Sequence, residues 1–213
     1  MNRLFRVFNE TRGVALVEFA ICLPFILMMM TGGIELGNSI LVHIRLERSA
    51  RNLADMIARR AGDFEGLSER ELNAMLLITR KGSGEDLDVD SRIIVTTLMG
   101  QDADSNGVAE KNVIQWQRFG GSYVSAPLIL GCWNNMPKPV LANDRQLGAG
   151  ETLFHVQITK KYDPLMRVLF DAMGVPTSYT RSAAFRGRGS IYRNLLTSPG
   201  VEPHNTCAKV YMA

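Results

Sequence analysis

The 213-residue chain has few of the residues from which catalytic and metal sites are built. Its three histidines, His43, His155 and His204, lie far apart and form no recognised metal-binding motif with cysteine. It contains no glycine-rich phosphate loop, nucleophile elbow or paired histidine–carboxylate motif. We therefore expect no catalysis, no cofactor and no metal. An enzyme with its site in the loop 127–150 is the least favoured alternative.

The chain also has little net charge. Its formal charge is +3, the arginines are scattered, and no basic run alternates with aromatic residues. Nucleic-acid-binding domains concentrate lysine and arginine on one face or along one helix. The sequence therefore predicts no nucleic-acid partner.

One long apolar run is present near the N-terminus. Val14 to Ile34 comprises 21 residues with one charge, Glu18. At about 1.5 Å per residue a helix of this length spans about 31 Å, enough to cross a lipid bilayer. A carboxylate inside the bilayer costs about 2.5–3.5 kcal/mol, so Glu18 is either functional or hydrated near the membrane interface. The run is too long for a secretory signal and no small-x-small cleavage site follows, so we predict an uncleaved anchor rather than a signal peptide.

The helical pattern continues beyond the apolar run. A narrow apolar stripe recurs at helical spacing, formed by Leu46, Ala50, Leu53, Ile57 and Ala61. Charged residues such as Arg48 and Asp55 lie on the other faces. The pattern predicts one helix from Val14 to Arg60, half anchor and half domain spine, ending near Gly62.

The rest of the chain mixes helical and strand patterns. Ser68 to Glu71 forms a capping box at the start of a short helix, which ends at Lys81 to Gly84. The predicted strands are 91–99, 112–119, 152–162 and 177–186, with a second short helix at 163–174. Phe154, Val156 and Ile158 alternate with polar residues, which predicts a half-buried strand. The fold class is therefore α+β with an antiparallel sheet.

The three cysteines differ in setting. Cys22 lies inside the apolar run, where a thiol is ordinary packing. If the downstream region is extracytoplasmic, Cys132 and Cys207 could form a disulfide. Two free buried thiols are the alternative.

The segment Asp102-x-Asp104-x-Asn106-Gly107 matches the first half of an EF-hand calcium loop. The twelfth position, however, is Val113, where the calcium loop requires a bidentate glutamate. Turns between strands are also rich in aspartate, asparagine and glycine. A plain turn is therefore favoured over a calcium site.

The segment Gly13 to Phe19 resembles the processing site of type IV prepilins, where a membrane peptidase cuts after glycine and glutamate is fifth in the mature chain. The wider pattern resembles the TadE-like family of Tad (Flp, tight adherence) pilus assembly proteins. The residues that carry it are Arg12-Gly13, Val17 to Ala20, Pro24, Gly33 and Glu35-x-Gly37. Two positions depart from the pattern: Asn38 replaces a frequent arginine, and Thr11 replaces a usual basic residue.

The resemblance implies a structural role as a minor pseudopilin of a Tad/Flp pilus or related secretion system. Gly13, Val14 and Glu18 would form the prepilin peptidase processing site. After cleavage, Glu18 would pair with the amine of Val14 in a neighbouring subunit. The implied partners are other pilins and pseudopilins, the prepilin peptidase, the inner-membrane assembly platform and the lipid bilayer. The alternative is a membrane-anchored extracytoplasmic binding module that is neither processed nor incorporated in a fibre.

The resulting layout is pilin-like. We expect a single-pass protein of the bacterial inner membrane or of the pilus, with a cytoplasmic N-terminus and a periplasmic or otherwise extracytoplasmic C-terminal domain. Its predicted parts are a leader (1–13), a transmembrane helix (14–37), an amphipathic spine (38–61), an α+β domain (62–190) and an irregular tail (191–213).

Overall fold

The computed structural model describes residues 11–61, 66–132, 141, 144–164, 167, 177–187 and 195–210, with side chains from residue 13 onward. The chain divides into two compact units, Met1–Leu41 and Val42–Ala213. The division into leader, membrane helix, spine, domain and tail stays a prediction.

The first helix, α1, runs from Thr11 to Arg60. A single long helix from the apolar run into the amphipathic stretch was predicted, and the structure has it. Pro24 lies inside α1, where it removes one backbone hydrogen bond.

The part of α1 in the second unit supplies the inner side of the domain core. The predicted stripe is buried, with Leu46, Ala50, Leu53 and Ile57 all at 0% exposure. These residues pack in one cluster with apolar side chains of the sheet. Burying a leucine or isoleucine side chain contributes about 1.5–3 kcal/mol, so this stripe fixes the helix to the sheet.

The second helix, α2, covers Glu69–Gly82. Its predicted capping box is present: the Ser68 hydroxyl accepts from the backbone N–H of Glu71, and the Ser68 backbone N–H donates to the Glu71 carboxylate at 2.9 Å. Leu67 and Leu72 on either side of the cap are fully buried. The helix start is therefore set by local sequence.

Four antiparallel strands form one sheet in the order β2-β1-β3-β4. Their bounds are Ser91–Gln101 for β1, Lys111–Gly120 for β2, Thr152–Lys161 for β3 and Ser178–Arg186 for β4. Each was predicted to within two residues at each end. An irregularity between Thr97 and Leu98 shifts the β1–β2 register by one residue.

The sheet is buried on both faces at β1 and β3, which differs from the half-buried strand expected at 152–162. Phe154, Val156 and Ile158 pack in the core with α1, as the alternation predicted. The opposite face, however, is also buried, with Gln157 at 2% exposure and Thr159 at 0%. Segments far away in sequence cover this polar face, so the local alternation could not indicate its burial.

The loop 121–132 lies on that polar face and is held there by glutamine side chains. Gln157 accepts from the Ile129 N–H at 3.0 Å and donates to the Pro127 carbonyl. Gln117 donates to the Gly131 carbonyl and to the Thr96 hydroxyl, both at 2.9 Å. Each buried amide thus has partners, which offsets the cost of removing it from water. Most of the predicted helix 163–174 lies outside the described residues.

Candidate functional site

The N-terminal part of α1 exposes apolar side chains on every side. From Val14 to Leu36 the exposure of its large apolar residues runs from 38% at Leu23 to 79% at Met29. A helix that is apolar all round is stable in a membrane and not in water. Among the described residues, the helix Gly13–Arg60 is the one candidate membrane span, with a mean hydropathy of 2.3 in its most apolar window.

The three residues of the predicted processing site lie at the start of this helix. Gly13 and Glu18 are both exposed, and a side chain on Gly13 would meet no described atom within 4 Å beyond the backbone of its own helix. The bond between Gly13 and Val14 lies near the first described residue of α1, Thr11.

Glu18 stands four residues after Val14, one helical turn further along the same face. No other charged residue lies between Val14 and Ile34.

The profile of the TadE-like protein family matches residues 13–55. This segment of the chain is similar to the TadE-like family. The match begins at Gly13, includes the exposed apolar segment and ends within the buried stripe of α1. The match points to Tad pilus systems in general. No curated protein and no solved structure matches the chain.

Outside the matched segment, a disulfide joins Cys132 and Cys207, with their Cα atoms 6.2 Å apart. That separation is normal for disulfides. The bond crosses from the end of the loop 121–132 to the last described segment, residues 195–210, which we name the C-terminal strap. Cys22 is a free, exposed cysteine in the membrane helix.

Backbone hydrogen bonds fix the C-terminal strap to the domain at Leu196 and at His204, although no helix or regular strand runs through residues 195–210. At its beginning, Leu196 accepts from the Glu69 N–H at 3.0 Å and donates to the Leu67 carbonyl at 2.9 Å. Further along, the carbonyl of His204 accepts from the N–H of Phe119 at 2.8 Å. The strap therefore covers part of the outer edge of β2, which would otherwise present an unpaired N–H to solvent.

A buried arginine lies beneath the end of the strap. Arg92, on β1, is 1% exposed and donates to the carbonyls of Gly121 at 3.2 Å, Lys209 at 2.8 Å and Cys207 at 2.9 Å. Its guanidinium also lies 5.0 Å from the centre of the Phe119 ring. Carbonyl acceptors and an aromatic face together stabilise a cation that burial would otherwise penalise.

A second buried charge connects α2 with β2. Glu69, 2% exposed in the first turn of α2, forms an ion pair with Arg118. The Arg118 guanidinium in turn lies 5.7 Å from the ring centre of Trp116. Burial lowers the pKa of the neighbouring His204, and the Glu69 carboxylate opposes that shift. The pair ties the helix start to the sheet close to the strap.

His155 lies on the polar face of the sheet between Thr96 and Ala184. It is 7% exposed, and desolvation by burial lowers the pKa of its imidazole to about 4. The side chain is thus neutral at ordinary pH. This fits a histidine that packs within the fold.

In the loop between β1 and β2, carboxylate oxygens of Asp102, Asp104 and Glu110 lie within 4.8 Å of one another. Their oxygens accept backbone N–H groups of the loop: Asp102 from Gly107 at 2.7 Å, and Glu110 from Ala103 at 2.7 Å. These N–H bonds outweigh the opposing effect of desolvation and lower the pKa of Asp102. The carboxylates therefore act as turn caps, as a plain turn requires.

Sequence reasoning singled out both cysteines of the disulfide but not Arg92, Glu69 or Arg118, and its processing site stays a prediction. One signal was available for Arg92. It is a charged residue at the start of a β-branched run, and a charge buried in a strand needs partners. Nothing in the sequence indicated that those partners would be backbone carbonyls near the C-terminus.

Proposed function

We propose that this protein is a minor pseudopilin-type structural component of a Tad/Flp pilus or a related secretion system. The observation that supports this most is the position of the TadE-like match, which falls on the exposed apolar part of α1 and the start of the domain spine. The helix associates with other pilins in the membrane, while the second unit acts outside the cytoplasm. The inner-membrane assembly platform and a prepilin peptidase are its further partners.

The disulfide supports the orientation. Disulfides persist in oxidising compartments such as the periplasm and are rare in the cytosol. Cys132 and Cys207 both lie in the unit Val42–Ala213. The second unit is therefore extracytoplasmic, and the N-terminus lies on the cytoplasmic side of the inner membrane, where a prepilin peptidase acts.

Processing after Gly13 is the first part of the proposal to test. Mass spectrometry of the mature N-terminal peptide from piliated cells should give a chain that begins at Val14. Gly13→Val should leave the leader in place, whereas Gly32→Val, a matched change inside the same helix, should be processed normally. A wild-type chain that still begins at Met1 contradicts processing and favours an anchored binding module outside the fibre.

The role of Glu18 is the second part. A lone carboxylate in the bilayer costs about 2.5–3.5 kcal/mol, and pairing with the amine of Val14 in a neighbouring subunit offsets this cost. Glu18→Ala should therefore reduce co-purification with other pilins about tenfold or more. Glu47→Ala, which removes an exposed acid later in α1, is the control and should have no effect. Unchanged assembly of the Glu18 variant would remove this role.

A further inference from the structure

The Arg92 guanidinium binds the backbone at one half of the disulfide and two residues after it. Its Nη2 donates to the carbonyl of Cys207 itself, and its Nη1 donates to the carbonyl of Lys209 two residues later. We propose that Arg92 positions the C-terminal strap so that Cys132 and Cys207 form a reversible redox latch. The proposal does not depend on the proposed pilus role, and its test needs no pilus.

Arg92 can hold the strap without the disulfide. A guanidinium has five N–H donors in a fixed plane, so it binds two carbonyls of one turn at the same time. Arg92 is 1% exposed, and if the strap left, the group would keep the Gly121 carbonyl but lose its two acceptors on the strap. Losing two hydrogen bonds from a charged donor costs free energy, so the closed strap is favoured in the reduced chain too and Cys207 stays close to Cys132. In the reduced chain, the effective concentration of the Cys207 thiol near the Cys132 thiol is therefore high.

The latch can open without unfolding the domain, because the strap packs on a separate cluster. Cys207 and Leu128 pack against Ile94 and Phe119, and none of these four residues belongs to the main core between α1 and the sheet. Leu195, by contrast, is part of the main core and keeps the beginning of the strap attached. Opening would uncover Phe119, Ile94 and the outer edge of β2, and leave the spine packed.

The chemistry is thiol–disulfide exchange. A disulfide oxidant, such as oxidised glutathione or a periplasmic oxidoreductase, forms a mixed disulfide with one cysteine and loses one thiol. The thiolate of the second cysteine then attacks the protein sulfur and expels the oxidant's other thiol. Two protein thiols lose two electrons and two protons, and the oxidant gains them. The reverse reaction with a dithiol reductant breaks the bond, after which the strap can open transiently and close again on Arg92.

The test uses the full chain in detergent, in a Cys22→Ala background so that two cysteines remain. The protein is equilibrated in glutathione buffers of fixed ratio, the thiols are trapped by alkylation, and the oxidised fraction is measured by mass. Arg92→Gln should lower the effective concentration of the pair about tenfold or more, which corresponds to a potential about 30 mV less negative. An unchanged oxidised fraction in Arg92→Gln overturns the proposal.

Two further variants separate positioning from general destabilisation. Arg92→Lys keeps the charge and the aliphatic stem, so it folds, but its ammonium lacks the planar fork and should still make the bond easier to reduce. Leu53→Ala weakens the main core without touching the strap and should leave the potential unchanged. If Leu53→Ala shifts the potential as much as Arg92→Gln does, Arg92 has no positioning role.

Hydrogen exchange tests the latch itself. Reducing the wild-type chain should speed amide exchange in residues 199–210 and at Phe119, whose N–H binds the His204 carbonyl. Exchange in β3 and in the buried part of α1 should not change. Loss of protection throughout the domain would show that the disulfide holds the whole fold, and would contradict a latch.

Discussion

Arg118 donates from its Nε to both carboxylate oxygens of Glu69, at 2.9 and 3.1 Å, across 49 residues of sequence. The side chain of Glu69 is 3% exposed and that of Arg118 is 13% exposed. The carboxylate also lies in the first turn of α2, where the helix dipole favours a negative charge. One buried ion pair thus connects the start of a helix to an edge strand.

Breaking this pair should be strongly destabilising. Glu69→Gln keeps the shape of the side chain but leaves the Arg118 guanidinium without its charged partner, so we expect a loss of about 3 kcal/mol in the free energy of unfolding. Guanidinium denaturation of the full chain in detergent, followed by tryptophan fluorescence, measures it. In the exposed pair of Glu47 and Arg51, Glu47→Gln should cost less than about 0.5 kcal/mol. Equal losses in the two variants would contradict a special role for the buried pair.

The features that the sequence predicted are those that depend on residues close in the chain. The α1 stripe repeats at helical spacing, and the capping box needs only Ser68 and Glu71. The strands follow from β-branched alternation. In each case the physical cause acts over one or two turns or along one strand, so the pattern can be read locally.

The features that were not predicted depend on residues far apart. The partners of Arg92 are near positions 207 and 209, and Glu69 pairs with a residue on β2. The polar face of β3 was expected to be half-buried because its pattern alternates, but the loop 121–132 covers it. Local periodicity indicates which residues of a strand can face a core. It does not indicate which distant segment of the chain will pack on the other face. The proposed processing site is different again, because a peptidase would recognise its local sequence and the folded domain would have no part in it.

Gly100 should not tolerate a side chain. A Cβ built at this position would overlap the backbone carbonyl of Gly148, and the two segments are bonded through Gly100 N–H to the Glu151 carbonyl at 3.1 Å. Gly100→Ala must therefore push two backbone segments apart, and we expect a loss of about 2 kcal/mol or more. Gly82→Ala, at the end of α2 with open space around it, should leave stability unchanged or slightly higher. Thermal unfolding of both variants checks this, and equal melting temperatures would show that the segments can separate freely.

The loop between β1 and β2 should fold without calcium. Asp102 already accepts the Gly107 N–H at 2.7 Å and the Asn106 N–H at 3.2 Å, so it stabilises the turn in the apo chain. Neither calcium chloride nor a chelator should change the melting temperature. Asp102→Ala should lower it, whereas Asp102→Asn, which keeps an acceptor oxygen, should lower it less. A melting temperature that rises with millimolar calcium would favour the EF-hand-like interpretation instead.

The free energy of unfolding should fall as pH decreases from about 6.5 to 4. Burial lowers the pKa of His155 to about 4 in the folded chain, whereas the pKa of His155 in the unfolded chain stays near 6.5. In that window the unfolded chain binds the extra proton, so the free energy of unfolding rises with pH. A difference of about 2.5 in pKa corresponds to about 3 kcal/mol lost by pH 4. Burial lowers the pKa of His43 and of His204 too, so they act in the same direction. Unfolding of the full chain at a series of pH values measures the slope.

The matched variant for this pH dependence is His155→Gln. Its amide has a similar size and does not titrate, and the cross-strand neighbours of His155, Thr96 and Ala184, carry no charge that could replace the effect. The variant should lose most of the slope between pH 4 and 6.5. It should keep the separate loss below about pH 4.5, which comes from acids such as Glu71, whose pKa is lowered by its hydrogen bonds with Ser68 and Arg60. If the slope of the variant equals that of the wild type, the titrating group lies elsewhere and His155 is accessible to water in the folded chain.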